Sequence, residues 1–417
     1  MIEEKILIID IGTTYIRAVL GIIGRKGNKK IIATAKVPSK GIKSGNISNF
    51  ISVKDSLNAA LNELKIKTTT TLPNEAYVIV AGTHTLSYRV EAKIKFNGIQ
   101  TFQFKDINDL KSKAEKELLE KKGSPVRQYY ETMHIIPQEF MIENINGIQN
   151  PVGHSGKELA MKALVILITQ RTKKTLESLL KECGLKLNGC ILQSLAAFYG
   201  IKNKENNYFN NNLFVYLGTG SVEYFYFRED KPVFFKHFAE GGGDIIDIIQ
   251  NTLKLPRKDA EKLFLEYGSA YALNIPQNEY ITISIGGKLK KLPKIIIPAL
   301  AQLKLQDIFK KDIKKELENE DPTMIVNLNK IYLTGGLAKL KNIDVLVKKI
   351  FKAPVEIPPP TGEEPDTTLT PVVGGLNYIA TLKKPEGKLF EVKEDILSTK
   401  GEAGIFGWFK RLIDQLI

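Results

Sequence analysis

Three short glycine-bearing turns hold the residue types in this chain that could do chemistry. Asp10-Ile11-Gly12-Thr13-Thr14 joins two strand-like runs, 5–10 and 15–23, and brings backbone N–H groups and two hydroxyls together. Small residues let a backbone approach an anion closely, so such a turn suits phosphate oxygens. Asp10, at the strand end, is placed to hold a Mg2+-bound water or orient an attacking one, and Arg17 could neutralise phosphate charge. Leu217-Gly218-Thr219-Gly220-Ser221 repeats the device, and Gly243 opens the helical stretch that follows it (243–255). The third site, Thr334-Gly335-Gly336-Leu337, follows a strand and precedes a helix, where a nucleoside could lie across the backbone. None is a GxxxxGK[ST] loop, and turns that join strand to strand are not the GxGxxG opening of a dinucleotide-binding helix. One Gly-Thr turn is ordinary hairpin chemistry. Three in order, two of them in matching surroundings, point to a polyphosphate clamped between two lobes.

The elements that must position these turns are duplicated. Residues 5–37 and 212–243 each read as strand, tight turn, strand, turn and strand. Each run leads into a helical stretch, 52–66 and 243–255, and each half later supplies another strand, 76–82 and 330–336. Two copies of a βββ-α-β unit imply a two-lobed α/β protein and exclude a solenoid. Residues 85–165 are an insertion with strand-like runs and one helix (106–120); residues 256–324 are a second insertion, mostly helical and Lys-rich. The expected organisation is lobe 1 core at 1–84 and 166–205 around the insertion 85–165, then lobe 2 core at 206–245 and 325–382 around 246–324. A linker at 383–403 and a terminal helix at 404–417 complete it.

The 417 residues carry 60 basic and 46 acidic side chains, a surplus of +14, with 43% hydrophobic residues. That composition is globular and leaves room for two to four domains. The surplus is dilute over a chain this long and nearly all Lys, whereas phosphate and base recognition leans on Arg forks, so nucleic acid is not an expected partner. Half of it gathers at 288–315, where nine Lys face Asp307 and Asp312; a solvated Lys-rich helix pair and a docking site for an acidic partner both fit. No run approaches the ~18 apolar residues of a spanning helix, and Glu3 and Glu4 stand where a signal peptide needs cations. A cytosolic chain, or one attached to a membrane from the cytosolic side, is expected. Cys183 falls on the apolar face of a helix ended by Gly184; with Cys190 it is expected to be structural, and the four histidines show no metal-ligand spacing.

The last residues form an amphipathic pattern. Ile405, Trp408, Phe409, Leu412, Ile413 and Leu416 make one helical stripe, with Phe406 beside it and Lys410 and Arg411 on the flank. Bulky apolar side chains beyond a polar linker fit insertion at a membrane interface; docking on the body or a partner is the alternative. Six side chains burying ~100 Å² each gain at most ~15 kcal/mol gross, much of it offset by ordering, so one helix binds reversibly and an array binds by avidity.

Together these motifs resemble the actin/Hsp70 ATPase superfamily: the first two turns are similar to its phosphate motifs and Leu333-Thr334-Gly335-Gly336 to its adenosine motif. Gln193-Ser194-Leu195-Ala196-Ala197 and Val373-Gly374-Gly375-Leu376 resemble its two connecting helices. HIIPQEF (134–140) followed by GIQNPVGHSG (147–156) is similar to a stretch of the FtsA family of bacterial cell-division proteins, and the resemblance spans essentially the whole chain. It implies an actin-like two-lobed α/β fold with an ATP cleft, the family's own subdomain at 85–165, and a C-terminal membrane-targeting helix. It further implies ATP and Mg2+ as ligands, with Asp10, Gly12, Thr13, Thr14, Arg17, Gly218, Thr219, Gly220, Ser221, Gly243, Gly335, Gly336 and Leu337 around the nucleotide. Glu261 matches the acid that contacts ribose in relatives; a solvated helix acid is the other reading. The implied partners are the chain itself, the C-terminal tail of FtsZ near Lys290, Lys291 and Lys294, other division proteins and the cytoplasmic face of the cell membrane at the division site. Two positions depart from the pattern. Tyr216 stands where the superfamily usually has Asp, which puts rapid hydrolysis in doubt, and Phe264 replaces a Lys beside the adenine, where an aromatic ring could stack. A sugar-kinase-like phosphotransferase and a pilus-assembly adaptor are the alternatives.

Overall fold

The computed structural model describes residues 4–24, 28–43, 45–202, 208–272, 278–285, 288–361 and 366–383. Ile405, Phe406, Trp408, Phe409, Lys410, Arg411, Leu412, Ile413 and Leu416 of the terminal stripe lie outside the described residues, as does the linker beyond Lys383.

Lobe 1 begins with β1 (Glu4–Ile11), β2 (Tyr15–Ile23) and β3 (Lys29–Pro38), a meander, then a small hairpin of β4 (Ile42–Lys43) and β5 (Asn46–Ile47). Helix α1 (Phe50–Lys67) follows, started by Asn49, whose side chain accepts from the Ser52 N–H at 3.0 Å. Its Val53, Leu57, Ala60, Leu61 and Leu64 form one buried stripe. Strand β6 (Glu75–Val80) then pairs parallel to β1. The first insertion is β7 (Thr85–Thr101), α2 (Phe104–Tyr129), β8 (Tyr130–Ile142), β9 (Ile145–Ile148) and β10 (Ser155–Thr169), an antiparallel sheet in the order β7-β10-β8-β9 with α2 packed on it. The helix expected at 106–120 is longer than its apolar pattern and breaks at Gly123 (φ +77°), just before Pro125. The chain returns through α3 (Gln170–Glu182), ended by Gly184 at φ +73°, then β11 (Lys186–Leu192) and α4 (Gln193–Ile201).

Lobe 2 repeats the plan with β12 (Asn212–Leu217), β13 (Val222–Arg228), β14 (Lys231–Phe238) and α5 (Gly242–Leu253). Its insertion holds α6 (Arg257–Tyr267), β15 (Tyr280–Ile285), β16 (Lys288–Pro293), α7 (Ile296–Gln306), a π-helical stretch (Asp307–Lys314), α8 (Lys315–Glu320) and α9 (Thr323–Val326). Strand β17 (Lys330–Thr334), α10 (Ile343–Phe351) and β18 (Val355–Glu356) close the sheet, and α11 (Thr370–Leu382) crosses back to lobe 1. The Lys-rich insertion is thus helical only in part. Residues 280–293 form an antiparallel hairpin, and Lys290 and Lys291 sit on a strand where a helix pair was one expectation.

The two five-stranded sheets have equivalent orders, β3-β2-β1-β6-β11 and β14-β13-β12-β17-β18, with the same antiparallel and parallel pairings. This is the duplication expected from the repeated segments. Central strands such as β12 are buried throughout, as a sheet covered on both faces requires.

Helices α4 and α11 cross between the lobes at unusually close range. A Cβ on Gly374 would stand 1.8 Å from the Ala196 carbonyl oxygen, and one on Gly200 would stand 2.3 Å from the Thr370 carbonyl oxygen. Backbone cannot yield as a side-chain tip can. Gly374→Ala is therefore expected to lower the free energy of unfolding by about 3 kcal/mol in a urea titration. Gly98→Ala, at a position with nothing within 4 Å, should stay within about 0.5 kcal/mol of the parent chain.

Candidate functional site between the lobes

The two phosphate-type turns are built alike. In each, the first glycine N–H donates across the turn, Gly12 to the Tyr15 carbonyl at 3.2 Å and Gly218 to the Ser221 carbonyl at 2.9 Å. In each, a Cβ on that glycine would meet the same carbonyl oxygen at 2.8 Å. The turns also meet each other: the Thr14 hydroxyl donates to the Thr219 hydroxyl at 2.9 Å, across 205 residues of chain. The start of α5 packs under the second turn, Gly242 N–H donating to the Gly218 carbonyl at 3.0 Å and Gly243 N–H to the Thr219 carbonyl at 2.8 Å. Gly335 takes φ +97°, and a Cβ there would stand 2.5 Å from the Leu217 carbonyl oxygen, so the third glycine site packs directly on the end of β12. Thr13, Gly220, Ser221, Gly336 and Leu337 lie in the same three turns; Leu337 and Ser221 are buried, and Thr13 accepts from the Gly45 N–H at 3.1 Å.

Charge at the site is buried. Asp10 is 1% exposed; its carboxylate takes Arg17 Nη1 at 3.1 Å on one oxygen and Gln193 Nε2 at 3.2 Å on the other. Burial raises its pKa, opposed by the Arg17 charge and by the hydrogen bonds from Arg17 and Gln193. Arg17 therefore answers first to Asp10, while its buried Nε has no partner among the described residues. An anion acceptor would satisfy that donor.

Two residues that motif reasoning did not assign complete the seam. Gln193 is one. Glu223, fully buried on β13 of lobe 2, is the other; its carboxylate accepts the Gly82 N–H at 2.6 Å and the Ser194 N–H at 3.0 Å, both from lobe 1. A lone carboxylate two residues past a turn serine, within an aromatic strand buried on both faces, was the available signal. Burial pushes Glu223 up to about 7; the Gly82 and Ser194 N–H groups hold it down, and the charge of Asp10 adds to the rise. Tyr216 and His237 are its cross-strand neighbours. Tyr216 is buried beside Asp10, Arg17 and Glu223, and its phenol is raised far above its usual range by burial.

Other expectations are more loosely placed. Glu261 is half-buried on α6, whose Arg257 pairs with Asp247 on α5. Phe264 is buried and packs in the lobe 2 core. Lys290 and Lys291 are exposed, but Lys294 is paired with Glu279 at 2.8 Å.

Twin sheets, mirrored turns and a seam between two lobes define an actin-like protein. Solved structures agree on the fold. A chain of the PilM–PilN type IV pilus biogenesis complex superposes with a TM-score of 0.62 at 13% identity, covering 90% of this chain and 98% of that one. MreB5 of Spiroplasma citri bound to AMPPNP gives 0.53 at 15% identity, over 91% and 97%. Family profiles described as "Cell division protein FtsA" and "SHS2 domain inserted in FTSA" match residues 213–378 and 82–167. The cell division protein FtsA of Pseudomonas aeruginosa is 24% identical over 85% of this chain and 82% of its own length. That of Escherichia coli K12 is 23% identical over 98% and 97%. The chain belongs to the FtsA family of cell division proteins.

The buried Glu223 makes stability pH-dependent with a definite sign. Its pKa is raised in the folded chain, from 4.5 to about 7. Its contribution is therefore complete below pH 4.5 and is lost as pH rises through 7, by about 3 kcal/mol. His134, held neutral by burial with its pKa lowered to about 3, acts oppositely as pH falls below 6.5. Comparison with Glu223→Gln isolates the first effect. The unfolding free energy of the parent minus that of the variant should fall by about 3 kcal/mol between pH 5 and pH 8; parallel profiles would exclude this role for Glu223.

Proposed function

We propose that the chain is an actin-like adaptor of bacterial cell division that binds ATP with Mg2+ between its lobes and polymerises. In this reading it tethers the C-terminal tail of FtsZ to the cytoplasmic face of the cell membrane. The observation that carries the nucleotide part is the pair of mirrored turns joined hydroxyl to hydroxyl beside a buried Asp10–Arg17 pair. Amides and hydroxyls of Gly12, Thr13, Thr14 and of Gly218 to Ser221 would surround the phosphates, with Gly243 beneath them. Gly335, Gly336 and Leu337 would flank the nucleoside, with Glu261 toward the ribose. Mg2+ would be held chiefly by phosphate and water, Asp10 reaching it through water, and would supply charge neutralisation. Tyr216 supplies no carboxylate at its position, which supports slow or negligible hydrolysis.

The stripe from Ile405 to Leu416 would anchor the chain, and Lys290 and Lys291, exposed on β16, would meet the C-terminal tail of FtsZ. Lys294 enters that contact only by releasing Glu279.

Titration with a fluorescent ATP analogue tests the site. Asp10→Asn should weaken Mg2+-dependent binding at least about tenfold, roughly 1.4 kcal/mol; unchanged affinity would remove the nucleotide from this seam. Co-sedimentation with anionic vesicles tests the anchor. The full chain should pellet and a chain ending at Lys400 should stay in solution, whereas equal pelleting would remove the terminal helix from the reading.

A further inference from the structure

Three consecutive residues at the start of α4 are each bonded to a different part of the molecule. Leu192 N–H donates to His134 Nε2 at 3.0 Å, on β8 of the inserted subdomain. Gln193 Nε2 donates to Asp10 at 3.2 Å, at the end of β1 beside the first turn. Ser194 N–H donates to Glu223 at 3.0 Å, on β13 of lobe 2. The His134 ring is 1% exposed and stands edge-on to Tyr378 of α11, with Nδ1 3.4 Å from the phenol oxygen. Since Nε2 accepts from an amide, the ring proton is on Nδ1, where it donates to Tyr378 Oη. The imidazole thus links Leu192, where β11 ends and α4 is capped, to α11 from a strand of the inserted subdomain.

We propose that His134 is a positioning residue: from the inserted subdomain it fixes the first turn of α4, and through Gln193 and Ser194 it sets the placement of Asp10 and Glu223. The inference rests on the nucleotide reading of the seam for its consequence but not for its geometry. His134 makes its hydrogen bonds to Leu192 and Tyr378, neither of which belongs to the three turns. It acts because Leu192 is the cap of α4: a shift of that amide rotates the next two residues, which hold the two buried carboxylates. Neutral imidazole suits this task, since burial excludes the charged form and leaves Nε2 free to accept. The inserted subdomain would thereby have a mechanical link to the seam through this side chain, beside the one Thr85 of β7 makes through Gly82. Gln138 of the same strand, donating to the Pro232 carbonyl at 2.6 Å, gives that subdomain a separate hold on lobe 2.

The test uses the full chain with His134→Phe, which fills the space without an acceptor, and His134→Gln, which returns an acceptor near the Nε2 position. Hydrogen exchange is read by mass spectrometry on a peptide spanning Leu192 to Ala197 without nucleotide, and affinity is read with a fluorescent ATP analogue. For His134→Phe the peptide should exchange about tenfold faster and the analogue should bind about tenfold more weakly, a change of about 1.4 kcal/mol. His134→Gln should return both to within about threefold of the parent. A merely structural role would lower the melting temperature of both variants while leaving exchange and affinity, measured well below melting, at parent values; that result overturns the proposal. Failure of the parent chain to bind the analogue would instead sink the nucleotide reading, with the exchange measurement still deciding the role of His134. Should His134→Phe not fold, Tyr378→Phe, which leaves Nδ1 without its acceptor, should still speed exchange of the same peptide about threefold, and no change there would also overturn the proposal.

Discussion

Everything that meets between the lobes is positioned by a helix crossing without room for a methyl group. The backbones of α4 and α11 approach at Ala196, Gly200, Thr370 and Gly374, and the apolar side chains around that contact face both lobes. From α4, Phe198 stacks on Phe227 of β13 with ring centroids 4.3 Å apart and meets Phe209 and Phe214 edge-on. From α11, Leu376 lies so close to β2 that a Cβ on Gly21 would overlap it at 2.4 Å, and Gly375 faces Ile8 and Ile79 of β1 and β6. One helix therefore belongs to lobe 1 by chain order and to lobe 2 by much of its packing. Close packing transmits small displacements and does not absorb them, so the first turn of α4 has little freedom to drift from the groups it holds.

That rigidity explains how two carboxylates are tolerated without solvent. A buried charge is costly unless paired and hydrogen-bonded. Asp10 has a guanidinium and an amide; Glu223 has two backbone N–H groups and, among the described residues, no paired cation. Burial raises both, Glu223 to about 7, and the Arg17 charge opposes the rise at Asp10. Both solutions depend on donors presented by α4, one from a side chain and one from the backbone.

Much of this was legible in the residues. The duplicated strand-turn-strand segments led to twin sheets of equivalent order, and the first glycines of both turns occupy matching positions. The connecting helices, given by the superfamily resemblance at Gln193–Ala197 and Val373–Leu376, lie within α4 and α11. Less was legible where tertiary context decides. The hairpin at 280–293 has short apolar alternation broken by lysines, a weak signal beside the helical stretches flanking it. Phe264 is tied to a base through the Lys that relatives place at its position, a match that says nothing of its packing into the lobe 2 core. Charge counting along the chain also overstated the bare surface at 288–315, because acids distant in sequence return to it: Lys304 pairs with Glu240 at 2.6 Å and Lys294 with Glu279. Glu223 escaped notice for a related reason. Its meaning lies in Gly82 and Ser194, which no local spacing connects to it.

Tyr216 acquires a physical role from the same neighbourhood. Its ring fills space at the seam and its phenol, kept neutral by burial, faces Asp10, Arg17 and Glu223. A carboxylate at that position would add a third negative group to two that are already raised by burial, with Arg17 the one cation paired among them. With Tyr216 neutral, the ionised seam carries two negative charges against one positive. An entering polyanion is repelled unless a proton or a divalent cation arrives with it. In the proposed nucleotide-bound state, protonation of Glu223 and an accompanying divalent cation would be alternative ways of meeting that demand. With no third carboxylate at Tyr216 that demand stays lower, which fits the proposed role of holding a nucleotide.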